Sequence, residues 1–365
     1  MIYTYTYTPH RIEGFHRQIS YFFQRLFETD SADFDENILC EREFIPIVNA
    51  SEVRLKEKMK TLCCKYHSLS EEEKKKVRKA FEVNNRIEEV CGNKSLHPVK
   101  YEEISEKIRQ DLKDFCMMLW KEYPQNKLIG QTFGTLQEHF NQFKQLEGNQ
   151  LSLCPFCGLQ ALKPPTESDE DKNRDSYDHI APEALYPFVS VNFKNLVPVC
   201  KECNSDEKKA TDTFYGSDGN RRVVLYPYAS SYVREQLAVE ITSHEVYNEV
   251  TFRTLLKDID WDIAIRMAGK EEEFLDTWDQ IYHIKERYKK YLKVQEEEWF
   301  RYIVEKYKRS TGKGESWTAI KDDILWEVKA RIGRPLGILE YVYDNYMLSM
   351  DSLQKYLETM YPISK

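Results

Sequence analysis

No apolar run in this chain approaches the roughly 20 residues that a membrane-spanning helix needs. Its opening "MIYTYTYTPHRIEG" also lacks the apolar core of a secretory leader. The expectation is a cytoplasmic protein with no membrane partner. Positive charge is not in excess either: 53 Lys and Arg stand against 61 Asp and Glu, a formal net charge of −8 at pH 7. That excludes a global basic field and confines any nucleic-acid contact to a local patch or a metal. Glycine and proline are sparse, 13 each in 365 residues, which excludes a collagenous or low-complexity chain. Nine cysteines in a reducing compartment argue for a metal site plus scattered core thiols, not a disulfide scaffold. Cys40, Cys63, Cys64, Cys91 and Cys116 have no partner at ligand spacing and read as buried filling.

What is present is globular: 41% hydrophobic, 31% charged and long enough for two or three domains. The 24 Tyr, 18 Phe and 6 Trp read mainly as amphipathic packing residues. "IYTYTYT" (Ile2 to Thr8) alternates strictly and predicts a short leading strand ended by Pro9. Helical periodicity follows to about Phe143. One segment is "SEEEKKKVRKAFEVNNRIEEVCG", with Ser70 as N-cap and Gly92 as stop, and another is "SEKIRQDLKDFCMMLWKEYP". The run "EEEKKK" reads as a solvated helix face. Around Gly148 the pattern changes to turns, short apolar runs and paired cysteines, with a polar loop at Pro164 to Asp175. Helical periodicity then returns, including one very long helix that carries Phe274, Ile281 and Tyr288 at heptad spacing beside Trp278, Leu292 and Trp299. The reading is mainly α: an N-terminal helical domain with the leading strand (1–147), a small zinc-bearing module (148–230) and a C-terminal helical domain (231–365). The aromatic stripe suits a helical hairpin or oligomerisation through the C-terminal helices.

Chemistry concentrates in the module. Cys154 and Cys157 ("CPFC") and Cys200 and Cys203 ("CKEC") form two C-x-x-C pairs, the usual frame for a structural Zn²⁺ held by four thiolates. They stand much further apart than the about 15–20 residues of an ordinary zinc ribbon. That leaves room for a hairpin with a second site. Inside the interval lie Asp178 and His179 ("DHIAP") and Asn195 ("NL"), and Asn204 directly follows the last cysteine.

This order of residues resembles the HNH endonucleases, whose ββα-metal fold sits on paired zinc knuckles. The resemblance covers about a fifth of the chain. It implies that His179 is the general base, that Asp178 and Asn204 are ligands of a catalytic Mg²⁺ or Mn²⁺, and that Asn195 orients the loop and the histidine. The family's phosphate-side lysine follows C-N-x-x-K, whereas here "CNSDEKK" shares that role between Lys208 and Lys209. The implied activity is phosphodiester hydrolysis, in DNA first. Independent chemistry agrees: imidazole suits a water deprotonated near neutral pH, and a hard cation suits phosphate oxygens.

The other histidines, His10, His16, His67, His97, His139, His244 and His283, read as ordinary core or surface residues. A zinc deaminase is excluded because His179 is not in H-x-E and the second pair is not P-C-x-x-C. "TGKGES" is no phosphate-binding loop, so any nucleotide hydrolysis falls to a separate ATPase or targeting subunit. "HIKERYKKYLK" (His283 to Lys293) is either a nucleic-acid contact or a solvated helix face. Helical extensions around such a module resemble the layout of bacterial antiviral-defence or mobile-element nucleases. Two rivals stand beside the DNA nuclease: an inactive zinc-stabilised nucleic-acid-binding or interaction module, and an RNA-cutting nuclease.

Overall fold

The computed structural model describes residues 4–50, 54–123, 126–147, 149, 153–163, 174–229, 237–242, 261–267 and 272–362. Among these residues the chain is mainly helical, with two small antiparallel strand pairs, and no helix is long and apolar enough to cross a membrane. It forms two compact units: Tyr5–Gln150 with Lys163–Ala229, and Met1–Thr4 with Leu151–Leu162 and Ser230–Lys365. Most of the expected polar loop, 164–173, and His244 lie outside the described residues, as does the start of the leading strand.

The first unit is built on helices α1 (Glu13–Glu28), α2 (Glu36–Leu39), α3 (Ile45–Asn49), α4 (Leu55–His67), α5 (Glu71–Asn84), α6 (Ile87–Gly92), α7 (Glu106–Glu122), α8 (Lys127–Phe133) and α9 (Leu136–Gln145). In α1, Phe15, Ile19, Phe22, Phe23 and Leu26 recur at helical spacing and are all buried. Ser70 caps α5 through a reciprocal capping box with Glu73. The helix expected to run on to Gly92 breaks after Asn84. That side chain turns into the core, where its amide exchanges hydrogen bonds with Val99 and donates to the Pro187 carbonyl. Thr4–Thr8 form no strand. Tyr5 N–H donates to the Pro227 carbonyl and Thr6 exchanges two bonds with the Asn149 side chain, so the backbone is satisfied without a ladder. Cys40, Cys63, Cys91 and Cys116 are buried as expected, but Cys64 is exposed. It lies one step of about 100° round α4 from Cys63, off the face formed by Met59, Leu62, Cys63 and Tyr66.

Two strands complete this unit. β1 (Tyr177–His179) pairs antiparallel with β2 (Leu196–Pro198), matching Asp178 to Val197 and His179 to Leu196. Their connection is anchored by Phe188, whose ring stands edge-on to Phe23 at 4.9 Å and to Phe81 at 5.4 Å. Its φ of 73° is a conformation that a bulky residue adopts only when packing compels it. Aromatic burial in the N-terminal helices therefore holds the loop that carries the site.

The second unit contains strands β3 (Leu237–Ile241) and β4 (Ile263–Met267) and helices α10 (Glu272–Tyr282), α11 (Ile284–Thr311), α12 (Trp317–Arg331), α13 (Gly337–Leu348) and α14 (Asp351–Met360). The strand pair was not expected in a helical domain. Val239, Ile241, Ile263 and Ile265 alternate with polar or small residues, and that period of two buries one face. The single long helix is in fact two. His283 adopts φ 48°, and the Asp279 carboxylate accepts the Lys285 N–H to restart the helix as α11. Phe274, Trp278, Ile281, Tyr288, Leu292 and Trp299 are all buried within the chain. Their polar tips reach the turn after Cys154: Trp278 Nε1–H donates to the Phe156 carbonyl and Tyr288 O–H to the Cys157 carbonyl, each at 2.8 Å. In "HIKERYKKYLK", Ile284, Arg287, Tyr288 and Leu292 face inward, and Lys289 pairs with Asp262.

Candidate functional site

The four paired cysteines form one group. Cys154, Cys157, Cys200 and Cys203 are buried, and their Sγ atoms lie within 4.8 Å of one another. A tetrahedral ion with Zn–S bonds of about 2.3 Å would set sulfurs about 3.8 Å apart, so the donor set fits Zn²⁺. Cys157 Sγ accepts the Leu159 N–H, and Gly158 supplies the positive φ of 66° that the turn requires. Among the described residues no other group of three or more His, Cys, Asp or Glu side chains converges in this way.

The second constellation lies on β1 and the turn after Cys200. Asp178 and His179 are 7% and 4% exposed. Asp178 Oδ1 accepts from Lys208 Nζ at 2.9 Å, and Lys208 is itself 1% exposed. Burial pushes the Asp178 carboxyl above its ordinary value, and the Lys208 charge opposes that rise. His179 uses both ring nitrogens. Nε2 lies 2.8 Å from the Ser190 carbonyl, which can only accept, so the proton belongs on Nε2. Nδ1 lies 3.0 Å from Glu183 Oε2. Burial alone would raise the Glu183 carboxyl, but the hydrogen bond and charge of His179 bring it down to about 2. The Trp120 indole stands edge-to-face against the imidazole at 4.9 Å.

Asn195 is fully buried between the two ends of the β1–β2 connection. Its Oδ1 accepts the Ala181 N–H at 2.7 Å, and Nδ2 donates to the carbonyls of Ala181 and Val189. Val189 precedes the carbonyl that holds His179. One amide thus ties the exit of β1 to the segment that orients the imidazole.

Residues Glu202–Lys208 form a π-helical turn, closed by the i→i+5 bond from Lys209 N–H to the Asn204 carbonyl. The wider turn brings Asn204 and Lys208 to the same cavity although "CNSDEKK" carries its lysine one place late. That cavity, about 500 Å³, is lined by Asp178, His179, Glu183, Asn204, Lys208 and Trp120 among others. The two lysines differ in place: Lys208 is buried on Asp178, while Lys209 is exposed and also lines the cavity. Three contributors were not found from sequence. Glu183 and the Ser190 carbonyl meet His179 through a loop, and Trp120 arrives from α7, so none carries a periodicity or spacing signal.

The comparisons come back empty. No known protein family, curated protein or solved structure matches the chain.

Proposed function

We propose that this protein is a metal-dependent endonuclease of the HNH type that hydrolyses phosphodiester bonds in DNA, with a structural Zn²⁺ on Cys154, Cys157, Cys200 and Cys203. The observation that supports it is the meeting of adjacent Asp178 and His179 on β1 with Asn204 and Lys208 in one cavity. With Nε2–H held by the Ser190 carbonyl, Nδ1 is the atom left to take a proton from water, and it does so only once Glu183 releases it, because a carboxylate 3.0 Å away pairs with a protonated Nδ1. Until then the Glu183 carboxylate holds the ring in place through Nδ1. Asn195 acts as a positioning residue through the loop.

The Asp178 and Glu183 carboxylates and the Asn204 amide oxygen are hard donors of the kind Mg²⁺ or Mn²⁺ takes, so the residues fit a catalytic cation held by Asp178 and Asn204. Such an ion, when bound, supplies positive charge to phosphate oxygens. Lys208 balances the charge of Asp178 at the floor of the same cavity.

One observation favours the second reading, an inactive zinc-stabilised nucleic-acid-binding module: Asp178 and His179 are both engaged inside the protein, by Lys208 and Glu183. Incubation with plasmid, linear and single-stranded DNA and with RNA, in Mg²⁺, Mn²⁺ or chelator, separates the two. His179→Ala should lower cleavage about 10²–10⁴-fold with fold and zinc retained. Asp178→Ala should fail similarly with partial rescue by Mn²⁺, and Asn204→Ala should be milder. A His179→Ala protein cutting at the wild-type rate would sink the enzyme reading.

A further inference from the structure

The cavity over Asp178 and His179 does not stand alone. Trp120, which forms part of its wall, also lines a second depression of about 790 Å³ where α4 and α7 pack together. Met117 and Met118 give this depression an apolar surface, and Arg54, Lys58 and Lys121 supply three cations against the carboxylates of Asp114 and Glu122. Thioethers and an indole beside cations are suited to a nucleobase and its phosphate: a flat apolar face for the base, positive charge for the backbone. Continuity through one shared side chain links this surface to the candidate catalytic groups.

Access to those groups constrains what can use them. Asp178 and His179 are almost wholly buried where they line a recess of about 500 Å³, whose wall joins Trp120 and Leu136 from helices to strand, turn and loop residues. Double-stranded DNA is stiff, with a persistence length of about 150 base pairs, and resists bending a single phosphodiester into so small a recess. A single strand bends freely and exposes its bases for stacking.

We propose that the substrate is single-stranded nucleic acid drawn across Trp120. One phosphodiester enters the Asp178–His179 cavity, and the neighbouring base stacks on the indole over the Met117–Met118 depression. The cut rests on the nuclease reading; the hold rests on the depression alone. That difference makes the two failures distinguishable.

The test uses the full chain and short labelled oligonucleotides: single-stranded DNA, single-stranded RNA of the same sequence, and the DNA duplex. Binding is measured by anisotropy with Ca²⁺ in place of Mg²⁺, and cleavage separately with Mg²⁺ or Mn²⁺. Single strands should bind and be cut about tenfold or more in preference to duplex, the DNA and RNA arms showing which sugar is accepted. Trp120→Ala should weaken single-strand binding about tenfold, and Trp120→Phe should restore most of it, because stacking needs an aromatic face and not an indole. Lys58→Glu with Lys121→Glu should weaken binding and flatten its salt dependence. Duplex handled as well as single strand, or wild-type binding by the charge-reversed protein, overturns the proposal even if Trp120→Ala proves unable to fold. Trp120-dependent binding of single strands without cleavage in any metal would uphold the surface and discard the nuclease.

Discussion

Asn195 offers the sharpest test of how the loop holds the site. Its side chain makes three hydrogen bonds, to Ala181 N–H, the Ala181 carbonyl and the Val189 carbonyl, and it is fully buried. Asn195→Ala removes all three at once and leaves the buried Ala181 N–H and carbonyl without these partners, while the Val189 carbonyl keeps the Asn192 N–H. Each orphaned group costs about 1–3 kcal/mol, and partial relaxation of a short loop brings the sum for the two to roughly 2–4 kcal/mol. For a unit of this size that corresponds to a melting point lower by roughly 10 °C. Asn195→Asp keeps the acceptor for Ala181 N–H but sets a carboxylate against two carbonyls, so it should be at least as damaging. Both variants should also loosen the Ser190 carbonyl that orients His179, so that cleavage falls more than the loss of folded protein explains. Chemical denaturation gives the stability cost, and single-turnover cleavage, normalised to folded protein, gives the other. An Asn195→Ala protein within about 1 kcal/mol of wild type and equally active would refute the argument that this amide clamps the loop.

Two further expectations follow from buried groups. Purified protein should carry about one zinc per chain, and Cys203→Ser should lose both the metal and much of the stability, because metal binding contributes to folding free energy; soluble, fully stable protein free of zinc by metal analysis would contradict this. Glu296 is 3% exposed and accepts a bond from Trp261 Nε1–H at 2.9 Å, and burial pushes its carboxyl up to about 7. The folded state then holds a proton that the unfolded chain releases near its ordinary value, so stability should decline by up to about 3 kcal/mol as pH rises from about 4.5 to about 7 and change no further through this group above that. Glu296→Gln should flatten that decline in melting curves, and an unchanged slope would remove Glu296 as its source.

Much of this architecture could be read from local pattern. The four cysteines could be named as one metal-ligating group through spacing alone, and they converge. Helical periodicity marked most of the N-terminal region as helical, and Ser70 marked a helix start, because caps and amphipathic stripes are written within a few residues. Asp178 and His179 are singled out by the resemblance of the residue order to the HNH endonucleases, not by periodicity. Local pattern failed where distant backbone made the decision. Asn84 ended a helix that its periodicity would have continued, drawn inward by carbonyls at Val99 and Pro187. His283 broke another, and Thr4–Thr8, though strictly alternating, found a side-chain amide instead of a neighbouring strand. The partners of the candidate site belong to the same class. Trp120 comes from α7, Glu183 and Ser190 from the β1–β2 connection, and Lys208 from a π-helical turn. Their nearness to Asp178 and His179 arises from packing between segments that share no repeat. Residue type and spacing could therefore name the groups able to do chemistry, whereas tertiary packing alone decided what surrounds each one, how deeply it is buried and which atom it turns toward the cavity.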